Sequence, residues 1–498
     1  MVKKKFLAAL LAAAVMVTTV TDAVIPASEA QAAETAPQEI ILDRTEVSNP
    51  ILSSYPNGDV LYGGDPSVMV EGDTVYLYTG RDIPIDLSQV DSKGNKVQDG
   101  YYMFEWQCYT TKDLKNWKYE GVIMSADKES ITWANTGTDA WAGQITSHYD
   151  SALEKTFYYF YNCTWDSTSA GKQSIGVAVA DTPLGWSNEQ AKADYCAAKN
   201  IPNRHPENLH YVDLGQPLVK GTFTTSQSSD WNDIDPTVWV ETVDGVEHRY
   251  LSWGNGKAFV CELNDDMISI QDTNGDGKIT FGIQAQGATS ATADVLEKNT
   301  ANLGVFTEAP WIYRRKDANG EPTGPYYFFY AYDWREQMAY ATIDDLMDGT
   351  FTEGKVLMPP TATSNTNHMA VFDFKGKTYF IYHNGSVRGG SGFRRTACIT
   401  EMHFNKDGSV QEIPETAIGI TGDKPYYLFS NTGAVISHEN YVNSGADSAY
   451  PYMDVGVGAY YQPQKLDASW VITDGKADPS KKSYVSIQSE NKPGLYLT

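Results

Sequence analysis

Asp65-Pro66-Ser67-Val68 opens a segment that returns as Asp235-Pro236-Thr237-Val238 and, with a longer acid, as Glu308-Ala309-Pro310-Trp311-Ile312. Behind each head come a polar turn and an aromatic strand: Val75-Tyr76-Leu77-Tyr78, Arg249-Tyr250-Leu251-Ser252-Trp253 and Tyr327-Phe328-Phe329-Tyr330. Two further segments share the layout without an acid. They are Trp141-Ala142-Gly143-Gln144 before Tyr158-Tyr159-Phe160-Tyr161, and His368-Met369-Ala370-Val371 before Tyr379-Phe380-Ile381-Tyr382. With heads at 65, 141, 235, 308 and 368 the spacings are 76, 94, 73 and 60 residues. A repeat of this size made only of strands predicts an all-β fold, a five-bladed β-propeller. There the first strand of each blade lines a central channel, so residues far apart in sequence meet on the axis.

Working outward, third strands also recur: Gln107-Cys108-Tyr109-Thr110-Thr111, Ile175-Gly176-Val177-Ala178-Val179-Ala180 and Met338-Ala339-Tyr340-Ala341-Thr342. Two of them run into similar tails, Asp113-Leu114-Lys115-Asn116-Trp117 and Asp345-Leu346-Met347-Asp348. Asp244-Gly245 and Lys375-Gly376 read as tight turns. A short surface helix is expected within 188–198, and the long 141-to-235 spacing implies inserted loops around 188–230 overhanging the channel mouth.

Residues 1–32 read as a signal peptide: Lys3-Lys4-Lys5, an apolar run from Phe6 to Val20, and the small-residue site Ala30-Gln31-Ala32. The expectation is a secreted, extracellular protein with the propeller at 33–418. Residues 419–498 read as a linker and a small, partial β-rich domain. A net charge of −25 argues against nucleic acid or an anionic membrane as partner and is compatible with a neutral polymer. Twelve tryptophans and thirty-two tyrosines fit strand interiors and also suit stacking on sugar rings. The five cysteines have no metal-ligand spacing, and Cys108 and Cys163 read as buried free thiols.

Cleaving a glycosidic bond needs two carboxyl groups in opposite protonation states. A third acid nearby raises its neighbour's pKa by like-charge repulsion. Glu308, beside Ala309, Pro310 and Trp311, suits the general acid. Asp65, flanked by Gly63-Gly64 and near Arg81 and Asp82, suits the general base, and Asp235 the pKa modulator. Asp272-Thr273-Asn274-Gly275-Asp276-Gly277 matches the first half of a calcium loop, with Asp272, Asn274 and Asp276 as ligands; position twelve is Ile283 rather than an acid. An ion there would stabilise a loop and take no part in the chemistry, which needs no cofactor.

Gly64-Asp65-Pro66-Ser67-Val68, Ile234-Asp235-Pro236-Thr237-Val238 and Thr307-Glu308-Ala309-Pro310-Trp311 resemble, in order, the three signature segments of glycoside hydrolase family 43. The resemblance covers roughly residues 50–418. It implies a five-bladed propeller, inverting hydrolysis of arabinan, arabinoxylan or xylan, and the base, modulator and acid roles at Asp65, Asp235 and Glu308. By the same resemblance His368 is an axial residue approaching a metal ion or water, and Arg395, in Gly392-Phe393-Arg394-Arg395, contacts substrate. Trp141-Ala142-Gly143 departs from the family's Trp-Ala-Pro, and Trp141 is expected on the substrate pocket wall. Residues 486–497 resemble the start of an arabinose-binding trefoil module, carbohydrate-binding module family 42. The expected activity is removal of α-L-arabinofuranosyl units from the plant cell-wall polysaccharides arabinoxylan or arabinan. The alternatives are a β-xylosidase or endo-arabinanase of the same fold, or a sugar-binding propeller without catalysis.

Overall fold

The computed structural model describes residues 16–19 and 44–498 apart from 85–88, 90–99, 136, 168–171, 225–230, 286–292, 334–335, 360–365, 424, 430–433, 439–454, 459–466 and 479. The cleavage site at 30–32 and most of the apolar run lie outside the described residues. Helix is confined to Glu189–Lys199, Gly221–Thr224 and a single 3-10 turn among the described residues.

Five sheets follow one another along the chain. The first holds Gly64–Glu71, Thr74–Asp82, Met103–Thr111 and Lys118–Ser125. The second runs from Gln144–Asp150 through Lys155–Asp166 and Lys172–Ala180 to Val212–Asp213. The third begins with Thr237–Val243, Val246–Trp253 and Ala258–Glu262, and ends in the parallel pair Val295–Lys298 and Phe281–Ile283. The fourth is Phe306–Lys316, Pro322–Tyr332, Gln337–Ile343 and Lys355–Met358, and the fifth Met369–Phe374, Lys377–Asn384 and Thr396–Met402. The leading strands touch in cyclic order: Gly64–Glu71 meets Gln144–Asp150, then Thr237–Val243, Phe306–Lys316 and Met369–Phe374, which returns to Gly64–Glu71. The segment just before the first sheet also ties to the fifth. Gly63 N–H donates to Arg395 O (2.7 Å), Ile51 N–H to Ala397 O (2.9 Å), and the buried Asn49 amide bridges Ile399 O and Thr416 O.

Inner strands lack alternation because both faces are covered. Lys172–Ala180 is buried at every residue, as is the run Phe157–Thr164, the pattern of strands sandwiched between neighbours. Each such aromatic ring contributes roughly 1.5–3 kcal/mol by burial, and many tyrosine hydroxyls bridge adjacent sheets. Tyr158 donates to Glu71 (2.7 Å), Tyr161 to Met267 O (2.6 Å), and Tyr313 to Asp373 (3.0 Å). Most of the aromatic content is therefore inter-sheet filling. The predicted turns hold: Asp244-Gly245 carries φ of 52° and 81°, the primed hairpin geometry that asks for glycine second. The two look-alike tails fold alike, since Asp113 Oδ1 accepts the N–H groups of Lys115 and Asn116, and Asp345 Oδ1 those of Met347 and Asp348. The expected surface helix is Glu189–Lys199, capped by Asn188 through Ala191 N–H (2.9 Å). Its Lys192 is buried and donates to three carbonyls of the following loop, Arg204, His205 and Asn208. All five cysteines are buried and free.

Beyond the fifth sheet, Tyr426–Phe429, Val435–His438, Val455–Gly458, Ser469–Asp474 and Val485–Ser489 form a sixth, separate sheet, with Met16–Thr19 pairing along Tyr426–Phe429. It docks through Ala417 N–H to Glu490 O (2.8 Å) and Thr45 N–H to Ile472 O (3.0 Å).

Candidate active site

The three signature heads share one backbone device. Asp65, Asp235 and Ala309 all adopt left-handed φ values, 53°, 58° and 56°, and all precede proline. For non-glycine residues this conformation costs roughly 1–3 kcal/mol each and persists only where the surroundings over-determine it. The ladder slips at the same places, between Gly64 and Ser67 and between Glu308 and Trp311. Structurally, then, Ala309 is the counterpart of the two aspartates, and Glu308 stands one residue earlier.

Asp65 is held from several directions. Its N–H donates to His383 Nδ1 (3.0 Å), and its Oδ1 accepts Arg395 Nη1 (2.6 Å). Arg395 is itself buried, with Nε and Nη2 forked onto Asp82 (3.0 and 2.8 Å) and its backbone N–H on the same carboxylate (2.7 Å). The remaining guanidinium protons go to Thr366 Oγ1 (3.1 Å) and Met103 Sδ (3.3 Å). All five N–H groups of Arg395 thus have protein partners, and the Tyr101 ring lies over it at 5.1 Å. A Cβ on Gly64 would fall 2.2 Å from the guanidinium carbon, so the glycine before Asp65 is required by the seat of the arginine. Burial and the neighbouring guanidinium push His383 well below the ordinary histidine range, so its Nδ1 is a neutral acceptor and Nε2 carries the proton.

The opposite flank gathers like charges. Asp235 is buried and its Oδ2 accepts Ala309 N–H (3.0 Å), which couples it to the residue after Glu308. Glu308 accepts Asn255 Nδ2 (2.7 Å). Asn255 sits in a Gly254–Gly256 turn whose N–H groups bind Ile234 O (2.9 Å) and Thr307 O (2.6 Å), the residues preceding the two acids. Burial, then the charge of Asp65, raises Glu308 to about 7; burial and then the charges of Glu308 and Asp65 raise Asp235 well above the usual carboxylate range. A fourth acid, Glu336, is buried with Oε2 on Asn367 N–H (2.5 Å), and burial followed by the Glu308 charge raises it as well. The site therefore pairs a carboxylate facing a guanidinium with carboxyls that retain protons near neutrality, the two states that glycosidic cleavage demands.

The structure brings Asp65, Asp235, Glu308 and Arg395 together. His368 is buried and pushed down to about 3 by burial and the Arg395 charge, a neutral imidazole at working pH. Among the described residues one group of three potential metal ligands converges, His148, Glu247 and Asp265; His368 is not in it. Asp272, Asn274 and Asp276 lie on an exposed loop. There Asp272 accepts the N–H groups of Gly275 and Gly277 (2.8 and 2.7 Å), while Asp294 clamps Thr273 and Thr280. The loop is closed by its own hydrogen bonds, and Ile283 is 66% exposed. Trp141 heads the second sheet, and the Cys163 thiol joins its neighbour Ala142 O (3.3 Å) to Asp235 N–H (3.4 Å). Sequence reasoning passed over Glu336 and Asn255. The turn signal Gly254-Asn255-Gly256 marks the second, whereas Glu336 has no local signature.

A family model described as "Glycosyl hydrolases family 43" matches residues 56–201 and 213–410, more than half of the chain. A xylosidase/arabinosidase of Bacteroides ovatus is 25% identical over 376 residues, covering 70% of this chain and 94% of that protein. An arabinoxylan arabinofuranohydrolase of Bacillus subtilis is 25% identical over 408 residues, 76% of this chain and 67% of the relative. Among solved structures, a Bacillus subtilis family 43 arabinoxylan arabinofuranohydrolase in complex with cellotetraose matches with a TM-score of 0.51 at 20% identity, covering 80% of this chain and 81% of that one.

Proposed function

This chain belongs to glycosyl hydrolases family 43 and is a glycoside hydrolase, and on that footing we propose that it removes α-L-arabinofuranosyl units from arabinoxylan or arabinan with inversion. Glu308 donates a proton to the leaving oxygen. Asp65 takes a proton from the water that attacks the opposite face of the sugar, and Asp235, joined to the acid's segment through Ala309 N–H, serves as the pKa modulator. Arg395 positions Asp65, with Asp82 behind it. The chemistry assigned to these groups uses side chains and water alone. The observation that carries the reading is the asymmetry of the site: Asp65 against a guanidinium at 2.6 Å, Glu308 raised to about 7.

The cyclic contact of the five leading strands supports reading the five sheets as blades of a closed propeller over 33–418. The sixth sheet is then an appended domain at 419–498. The lysines, apolar run and Ala30-Gln31-Ala32 support export, and calcium at the Asp272 loop would act on stability only. The relatives' names favour arabinofuranosyl over xylosyl units; a β-xylosidase would release xylose instead. Incubating the protein with p-nitrophenyl α-L-arabinofuranoside, p-nitrophenyl β-D-xyloside, wheat arabinoxylan and linear arabinan, and following the released anomer by proton NMR, tests this. β-L-Arabinofuranose appearing first is the expected result. Release of no sugar from any of the four would overturn the reading.

A further inference from the structure

Three tryptophans from separate segments meet at the catalytic end of the second and third sheets. Trp141 precedes the second sheet's leading strand, and Trp165 lies near the end of Lys155–Asp166, beyond the Gln144–Tyr161 pair. Trp231 stands four residues before Asp235. Trp141 and Trp231 stack with centroids 5.6 Å apart and 24° between planes, and Trp165 meets both edge-on, at 6.0 and 5.1 Å. Trp141 and Trp165 are partly buried, whereas Trp231 remains 47% exposed.

A single exposed apolar side chain is ordinary on a protein surface; what sets Trp231 apart is that two further indoles from separate segments pack against it. Here Trp141 stacks on Trp231 and Trp165 meets it in a T-shaped contact, so the indole is braced by two rings while about half of it stays exposed. The order needed for binding is already present in the fold, which lowers the entropy cost of a ligand stacking there. Below it, Asn232 and Asp233 are buried, and Asp233 accepts Trp253 Nε1 (2.7 Å) and Thr224 Oγ1 (2.7 and 2.6 Å). The platform is thereby held rigidly on the segment that carries Asp235. A β-1,4-linked pyranose in its chair form presents a flat face of C–H groups to such a ring, whereas a puckered furanose presents a smaller one.

We propose that the exposed surface of Trp231, buttressed by Trp141 and Trp165, is the platform on which the polymer flanking the scissile bond stacks, and that this polymer is a β-1,4-xylopyranose chain. The inference rests on the arabinofuranosidase reading and selects arabinoxylan over arabinan within it. Its test is isothermal titration of xylohexaose and linear arabino-oligosaccharides into the wild type, Trp231→Ala and Trp231→Phe, alongside kcat/KM on arabinoxylan and p-nitrophenyl arabinofuranoside. Trp231→Ala should weaken xylohexaose binding and arabinoxylan turnover about tenfold, with Trp231→Phe within about threefold of wild type and the aryl glycoside within about twofold. Unchanged xylohexaose binding overturns the proposal. So does an equal loss on the aryl glycoside, or a wild type that binds arabino-oligosaccharides but not xylohexaose. A wild type that binds xylohexaose and hydrolyses none of the substrates would uphold the platform and sink the hydrolase reading alone.

Discussion

The flank around Asp65 and the flank around Glu308 are built around the same chemical group, a carboxyl, and treat it in opposite ways. Asp65 faces a guanidinium at 2.6 Å, and that arginine is locked by a second carboxylate, Asp82, through two guanidinium hydrogen bonds and one from its backbone N–H. Glu308 has an amide, Asn255, and the acids Asp235, Asp65 and Glu336 around it, with the Arg395 charge a weaker opposing influence. One flank offers positive charge and rigid donors, the other burial and like charge. A carboxyl group's role in this molecule is therefore set by its neighbours, and each neighbour can be removed to see whether the contrast collapses.

The largest effects belong to the acids themselves. Glu308→Gln should lower turnover of arabinoxylan by about 10²–10⁴-fold, the usual range for a lost general acid, and cost much less on p-nitrophenyl arabinofuranoside, whose leaving group needs little protonation. Asp65→Asn should lower both substrates alike, because water activation is common to them. Equal substrate profiles for the two variants would erase the distinction between the flanks.

Next comes the clamp. Arg395→Lys keeps the charge but cannot fork onto Asp82 and reach Asp65 at once. A base displaced by an ångström costs on the order of 10²-fold, so kcat should fall by about that factor with KM little changed, and Asp82→Asn should do the same. A change in KM alone would mean that Arg395 acts on substrate rather than on Asp65.

How much of this the sequence could say follows from where each partner sits. Asp65, Asp235 and Glu308 are legible because the heads repeat, and the repeat survives in the shared left-handed backbone at Asp65, Asp235 and Ala309. The one-residue offset of Glu308 is not legible, since it depends on ladder slippage that no residue type announces. Gly64 is a visible trace of Arg395, though only the close approach at 2.2 Å explains it. Asp82 is 313 residues from Arg395, and Glu336 holds Asn367 from a turn in the fourth sheet. Neither pairing follows from local pattern, because both are products of sheet-to-sheet packing. The aromatic excess was readable as strand filling, while the meeting of Trp141, Trp165 and Trp231 from three separate segments was not.

A smaller effect tests the acid flank through pH. Glu308 rises from an ordinary value of 4.5 to about 7 on folding, so kcat/KM should decline as pH rises through about 7. The same shift bears on stability. Between pH 4.5 and 7 the folded chain holds a proton that the unfolded chain has released, so this group's contribution is complete below 4.5 and gone above 7. Glu308→Gln cannot ionise. Its melting temperature should match wild type at pH 4 and exceed it by roughly a few degrees at pH 8. Equal melting temperatures at both pH values would show that Glu308 is not held protonated by the fold.

The finest test concerns Asn255, whose amide is the one hydrogen bond among the described residues that favours the ionised form of Glu308. Removing a donor to a carboxylate destabilises its charged state, so Asn255→Ala should move the alkaline limb to higher pH while leaving the acidic limb in place. Activity at the optimum should stay within about tenfold of wild type, since the amide touches the acid and not the base. The direction is what matters. A loss of polar support near an active site ordinarily narrows a pH profile, and here it should widen it, because the remaining neighbours of Glu308 all oppose its ionisation except the distant charge of Arg395. A limb that moved to lower pH instead would mean that the amide supports the protonated acid, and the contrast between the two flanks would then rest on burial alone.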